Sequence, residues 1–165
     1  MAEKSLIQLL REKALFVATA ESLTGGMLSA AITSTPGSSE VYLGGVIAYQ
    51  NQVKEQLLGV SGSLLSNQGA VDPEVVAQMA AGVRSKFAKA NGKNLDLVFG
   101  IATTGVAGPG PAEGKPAGTV FIGVSSVAGE SVYAHEFSGD RHQIREQSVE
   151  AALAALREQL QAISG

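Results

Sequence analysis

Ser22 stands where an apolar run, Leu15 to Ala20, gives way to Glu21-Ser22-Leu23-Thr24-Gly25-Gly26 and an amphipathic segment begins. The pattern reads as a strand turning abruptly into a helix. The first N–H groups of such a helix are unpaired and lie at the positive end of its dipole, so an anion or a developing oxyanion is favoured there. A hydroxyl beside those donors is a candidate nucleophile. The same residues serve equally as an N-cap, Ser22 or Thr24, with the glycines letting helix and sheet pack closely. A second stretch with two readings runs from Thr103-Thr104-Gly105-Val106-Ala107-Gly108-Pro109-Gly110 to Lys115-Pro116-Ala117-Gly118-Thr119. It is long for a connection in a small domain. Its glycines suit either a backbone N–H cradle for a phosphate or carboxamide, or a mobile surface loop. Arg141 and Arg145 share one face at the start of the last helix. Cations oppose the dipole there, which a ligand anion would relieve, as would pairing with Glu21 or Glu146.

Composition narrows the chemistry around these residues. At 165 residues and 45% apolar content, a single domain over 1–165 with a sizeable core is expected. A net charge of −3 with no Lys/Arg run argues against a mainly electrostatic nucleic-acid binder. There is no cysteine, hence no disulfide, thiolate metal site or cysteine nucleophile. The two histidines, His135 and His142, fall in no metal-binding spacing, so no metal or other cofactor is expected. Met1 to Arg11 mixes acids and bases among its leucines, and Ala14–Ala20 is too short to span a bilayer, so a cytoplasmic protein without a membrane partner is expected.

Elements that would position the candidates follow from periodicity and turn chemistry. Leu6, Leu9 and Leu10 give Ser5–Lys13 one apolar helical face, and Leu15–Thr19 is a buried strand. The helix after Ser22 turns Leu28, Ala31 and Ile32 inward and ends at Thr35-Pro36-Gly37-Ser38. Val41–Tyr49 reads as a strand with a bulge at Gly44-Gly45, and Gln52–Leu58 as a short helix stopped by Gly59. Asp72-Pro73-Glu74 is the clearest helix start, with Val76, Met79, Val83 and Phe87 following at helical spacing. Leu95–Ile101 reads as a central strand, Val120–Val124 and Ser131–Phe137 as a hairpin, and Asp140–Ile163 as the last helix. This alternation predicts an α/β fold with helices on both faces of a mixed, mostly parallel sheet. Ligands of such sheets sit outside the carboxyl ends of strands. Ser22, Tyr49 and Thr104 each follow one and are placed to converge.

Six segments, in order, resemble the C-terminal domain of the competence/damage-inducible protein CinA. They are Glu21-Ser22-x-Thr24-Gly25-Gly26, Tyr49-x-Asn51-x-x-Lys54, Gly69-Ala70-Val71, Gly105-Val106-Ala107-Gly108-Pro109, Lys115-Pro116-x-Gly118-Thr119-Val120 and Gly139-Asp140-Arg141-x-x-x-Arg145. The resemblance implies a three-layer α/β/α sandwich around a five-stranded sheet. It also implies the activity of the stand-alone members, nicotinamide-nucleotide amidohydrolases, which convert nicotinamide mononucleotide to nicotinate mononucleotide and ammonia. By the same resemblance, Ser22 and Lys54 are a serine–lysine dyad. Tyr49 joins them as a catalytic position, and Thr24, Gly25, Asn51, Thr104, Gly105, Val106, Gly108, Arg141 and Arg145 are substrate-binding positions. Leu23, Val106 and Ala117 depart from the commonest family residues without removing a reactive group. Larger members carry an N-terminal nucleotide-processing domain, which this sequence is expected to lack.

The chemistry fits that resemblance, since an amide hydrolase without cysteine, metal motif or well-placed histidine has few other routes. A lysine base works only if burial or a neighbouring cation lowers its pKa, so Lys54 must be desolvated. Read without the resemblance, Lys54 is an ordinary surface lysine. Arg145, helped by Arg141, is expected to read the 5′-phosphate, and glycine-rich backbone N–H groups to hold the oxyanion. Two rival classes stand beside this one: a non-catalytic pyridine-nucleotide sensor, and a competence or DNA-damage accessory. A homodimer is the expected assembly.

Overall fold

The computed structural model describes residues 3–163. A five-stranded sheet runs in the order β2-β1-β3-β4-β5, formed by β1 (Phe16–Glu21), β2 (Tyr42–Ile47), β3 (Val98–Gly105), β4 (Thr119–Ser126) and β5 (Gly129–Glu136). β1 pairs parallel with β2 and β3, and the β4 pairings with β3 and β5 are antiparallel. Only β4 therefore runs against the rest. The pairing of β1 with β2 skips Leu43, where the Gly44-Gly45 bulge was expected.

Period-two alternation sorts the strand side chains onto two faces. On one, Val17, Phe99, Ile101, Val120, Ile122 and Val124 pack against α1 (Leu6–Glu12), α2 (Met27–Thr33) and α6 (Arg141–Ala162). On the other, Ala18, Ala20 and Ala102 meet α3 (Asn51–Leu58), α4 (Gly62–Gln68) and α5 (Pro73–Ala90). The result is a three-layer α/β/α sandwich. The second face carries small residues because α5 lies so close to it. A Cβ on Gly100 would stand 2.0 Å from the Ala80 carbonyl oxygen, so any side chain there would push the helix away.

α5 starts as its sequence predicts, with the Asp72 carboxylate accepting from the N–H groups of Glu74 and Val75 and Pro73 in the first turn. Two boundaries differ from expectation. Leu95–Leu97 is a 3-10 turn, closed by the Asn94 side chain accepting from Asp96 N–H, so β3 begins at Val98 and runs through Thr103-Thr104-Gly105. α4, capped by the Ser61 hydroxyl, was not anticipated. No helix among the described residues is long and apolar enough to cross a membrane.

Candidate active site

The turn after β1 is shaped by a carboxylate. Glu21, 0% exposed, accepts from the N–H groups of Gly26 (3.1 Å), Leu28 (2.8 Å) and Ser29 (3.1 Å) and from the Ser29 hydroxyl (2.6 Å). The helix N-terminus expected to receive an anion thus receives one from its own chain, and neither Ser22 nor Thr24 caps it. Thr24 is fully buried, its hydroxyl paired with Thr103 at 2.9 Å. Replacing Glu21 by alanine leaves buried N–H donors without an acceptor, so chemical denaturation should show a loss of about 2–5 kcal/mol.

Held by this turn, Ser22 is 9% exposed and its Oγ accepts from Lys54 Nζ at 3.1 Å. Lys54, on the first turns of α3, is 1% exposed and also donates to the carbonyls of Ala48 (2.8 Å) and Tyr49 (3.2 Å). Burial pulls its ammonium down to about 8, against a smaller upward pull from the Glu113 carboxylate. An ammonium spends its N–H groups on these acceptors. The neutral amine keeps enough donors for the two carbonyls and turns its lone pair toward the Ser22 hydroxyl. That is the geometry of a nucleophile and its base.

Ser22 and Lys54 open into a cleft of about 290 Å³ at the carboxyl ends of the strands, near the small end of the roughly 300–1,000 Å³ range of ligand sites. Tyr49, Asn51, Thr104, Gly105, Val106, Gly108 and Arg141 line it with them, as their sequence positions suggest. Thr104 donates to the Ala70 carbonyl (2.7 Å). Tyr49 is 55% exposed, with its ring at the mouth and its carbonyl on Lys54. A larger hollow of about 520 Å³ lies at the opposite end of β1, around Phe16, Arg11 and Glu40, and contains neither member of the pair.

Three expected substrate contacts, Thr24, Gly25 and Arg145, are absent from the cleft lining. Arg145 instead donates to the carbonyls of Leu23 (2.9 Å) and Thr24 (3.2 Å), and a Cβ on Gly25 would stand 3.3 Å from its guanidinium. It therefore braces the Ser22 turn from behind. Arg141, one turn earlier, is the guanidinium in the cleft, donating to the Gly108 carbonyl (2.6 Å) and the Tyr49 hydroxyl (3.2 Å). Spacing alone gave the two arginines a common face but not which one reached the opening. Among the described residues no group of three or more His, Asp or Glu side chains converges as a metal site would require.

A family model, the CinA C-terminal domain, matches residues 1–160. The chain belongs to the CinA C-terminal domain family. It is 41% identical over 158 residues to a CinA-like protein of Frankia casuarinae, which covers 96% of this chain and 35% of that protein. The identity is 40% over 159 residues to a CinA-like protein of Thermotoga neapolitana, covering 96% and 37%. The chain thus spans little more than a third of those curated relatives. Solved structures are matched along nearly their whole length. A CinA superfamily protein of Klebsiella pneumoniae aligns with a TM-score of 0.84 at 31% identity, covering 94% of this chain and 92% of that one. A competence/damage-inducible protein of Agrobacterium tumefaciens aligns with a TM-score of 0.78 at 32% identity, covering 96% and 98%. The CinA-family sandwich thus brings Ser22 from the end of β1 and Lys54 from α3 to one point.

Proposed function

We propose that this domain hydrolyses the carboxamide of nicotinamide mononucleotide to nicotinate mononucleotide and ammonia. The observation that carries the reading is the 3.1 Å contact between a recessed serine hydroxyl and a fully buried lysine. Ser22 Oγ attacks the carboxamide carbon as its proton passes to neutral Lys54. The C–N bond then breaks, Lys54 returns the proton to the departing nitrogen, and ammonia leaves. Water attacks the carbonyl of the resulting ester as it gives a proton to Lys54; the bond from that carbon to Ser22 Oγ breaks, Lys54 returns the proton to Oγ, and nicotinate mononucleotide leaves carrying the water oxygen in its carboxylate. The N–H groups of Leu23, Ala107 and Gly108, all on cleft-lining residues, take no partner among the described residues and are available to the oxyanion. Incubating purified protein with nicotinamide mononucleotide should give ammonia and nicotinate mononucleotide in equal amounts; binding of the nucleotide without ammonia would leave a sensor instead.

The 5′-phosphate falls to Arg141 rather than Arg145, because the Arg141 guanidinium lines the cleft and Arg145 is spent on backbone carbonyls. A charge-assisted hydrogen bond contributes about 1.5–3 kcal/mol. Arg141→Ala should therefore raise KM for the mononucleotide roughly 10- to 150-fold. Nicotinamide riboside, without the phosphate, should lose much less. Equal losses on both substrates would move the phosphate to the Gly105–Gly110 backbone.

A further inference from the structure

Glu113 enters none of the steps above, yet the chain holds it at a conformational cost. It sits with Gly114 at the tip of a miniature hairpin in the glycine-rich loop, where Ala112 and Lys115 exchange N–H to carbonyl bonds at 3.0 and 2.9 Å. Both tip residues have positive φ, +53° at Glu113 and +74° at Gly114, as a two-residue turn of the primed type requires. Glycine or asparagine adopts that conformation at low cost and glutamate does not. What the glutamate does there is visible across the cleft. Its carboxylate accepts from the N–H groups of Ala70 (3.1 Å) and Val71 (3.0 Å), and the Ala70 carbonyl in turn accepts from Thr104 (2.7 Å). The Ala70 residue is thus gripped on both sides by cleft-lining side chains. Gly69 is shaped to admit the carboxylate: its φ is +78°, and a Cβ there would lie 2.4 Å from Glu113 Oε2.

We propose that Glu113 is a positioning residue, a latch that pins the tip of the glycine-rich loop to the Ala70–Val71 backbone and so holds the cleft wall in place over the Ser22–Lys54 pair. The inference rests on the reading of that pair as the reactive centre. Among the described residues the loop between Gly105 and Thr119 is otherwise tied by its own turn bonds, by the Phe137 N–H on the Gly118 carbonyl (2.8 Å) at the β4 end and by the Arg141 contact to Gly108, so that Glu113 is what ties its tip. A carboxylate bridging two N–H groups fixes it as a neutral side chain cannot, because glutamine carries one acceptor oxygen and would set its NH2 against the other donor. The latch also places a negative charge near the base. Glu113, Tyr49 and Arg141 are the ionisable side chains that line the cleft with Lys54. From the elements packed on α3, α4 offers no ionisable group, the ionisable residues of α5 (Glu74, Arg84, Lys86 and Lys89) do not line the cleft, and Glu55 of α3 turns toward Gly62. Glu113 is the group among them that acts on the Lys54 ammonium, holding its proton affinity above what burial alone would leave.

The test compares Glu113→Gln with Glu113→Asp, which keeps two acceptor oxygens. In substrate-free protein, amide exchange at Ala70 and Val71 should quicken in the glutamine variant and be largely restored in the aspartate one. With nicotinamide mononucleotide, KM of the glutamine variant should rise about tenfold. The acid limb of its rate profile and the Lys54 titration followed by NMR should both move to lower pH, with an unchanged melting temperature showing that the fold is intact. Unchanged exchange at both amides in Glu113→Gln overturns the latch. Faster exchange with KM and the Lys54 titration both unmoved separates the loop from the dyad and overturns it too. Absence of turnover in the wild type falls on the amidohydrolase reading; amide exchange and Lys54 titration then still decide the latch.

Discussion

Ser22→Ala should lower ammonia release from nicotinamide mononucleotide by roughly 10⁴- to 10⁶-fold, the scale on which loss of a covalent nucleophile acts when its partners work as a unit. Binding of the nucleotide should change little, because Oγ makes its contribution at the transition state rather than in the ground-state complex. The fold should be preserved. The Ser22 N–H bond to the Thr103 carbonyl and the Glu21 grip on the α2 N-terminus involve no Ser22 hydroxyl. Calorimetric titration of the variant separates the two effects. Near-normal turnover would remove Ser22 from the chemistry and leave the cleft as a nucleotide site.

Lys54→Arg should cost about 10²- to 10⁴-fold in kcat, the usual contribution of a positioned general base, although positive charge is retained. A guanidinium does not release its proton at working pH. In the wild type, burial holds Lys54 at about 8, below its ordinary 10.5. The reactive form is the neutral amine, present above that value and lost as pH falls through it. The rate should therefore climb roughly tenfold between pH 7 and pH 9, where a lysine of ordinary pKa would stay almost wholly protonated. A flat profile over that interval, or an arginine variant with most of its turnover, would make Lys54 an electrostatic prop for Ser22 rather than its base.

Much of the scaffold was legible because its signals are local. Asp72-Pro73 starts α5, Gly59 ends α3 in a left-handed conformation, and the Gly44-Gly45 pair interrupts the β2 register, each through chemistry contained in a few residues. α4 escaped because Gly-Ser-Leu-Leu-Ser-Asn-Gln is poor in helix formers and buries only Leu65; it exists through its Ser61 cap and its packing. β3 began late because the Asn94 side chain closes a 3-10 turn over residues whose apolar run reads as strand.

The site divides in the same way. That Ser22 and Lys54 belong together came from family resemblance; burial of a lysine on a short polar helix depends on Ala48 and Tyr49 folding back over it, which no spacing encodes. Glu21 was read as a possible partner for surface arginines, yet it completes a helix it precedes. Glu113 gave no signal, since its partners Ala70 and Val71 lie more than forty residues away and are backbone groups. The different placement of Arg141 and Arg145 follows from where α6 begins. The helix starts at Arg141 beside the cleft, so the next turn carries Arg145 behind the Ser22 turn, onto the Leu23 and Thr24 carbonyls.

The reactive assignment is tested most directly by rapid acid quenching of the wild-type protein during its first turnover of nicotinamide mononucleotide, with mass mapping of the Ser22 peptide. A Ser22 nucleophile activated by Lys54 predicts nicotinate mononucleotide ester-linked to that peptide, with ammonia appearing no later than free nicotinate mononucleotide. An unmodified Ser22 peptide with both products rising strictly together, or no ammonia at all, would contradict it.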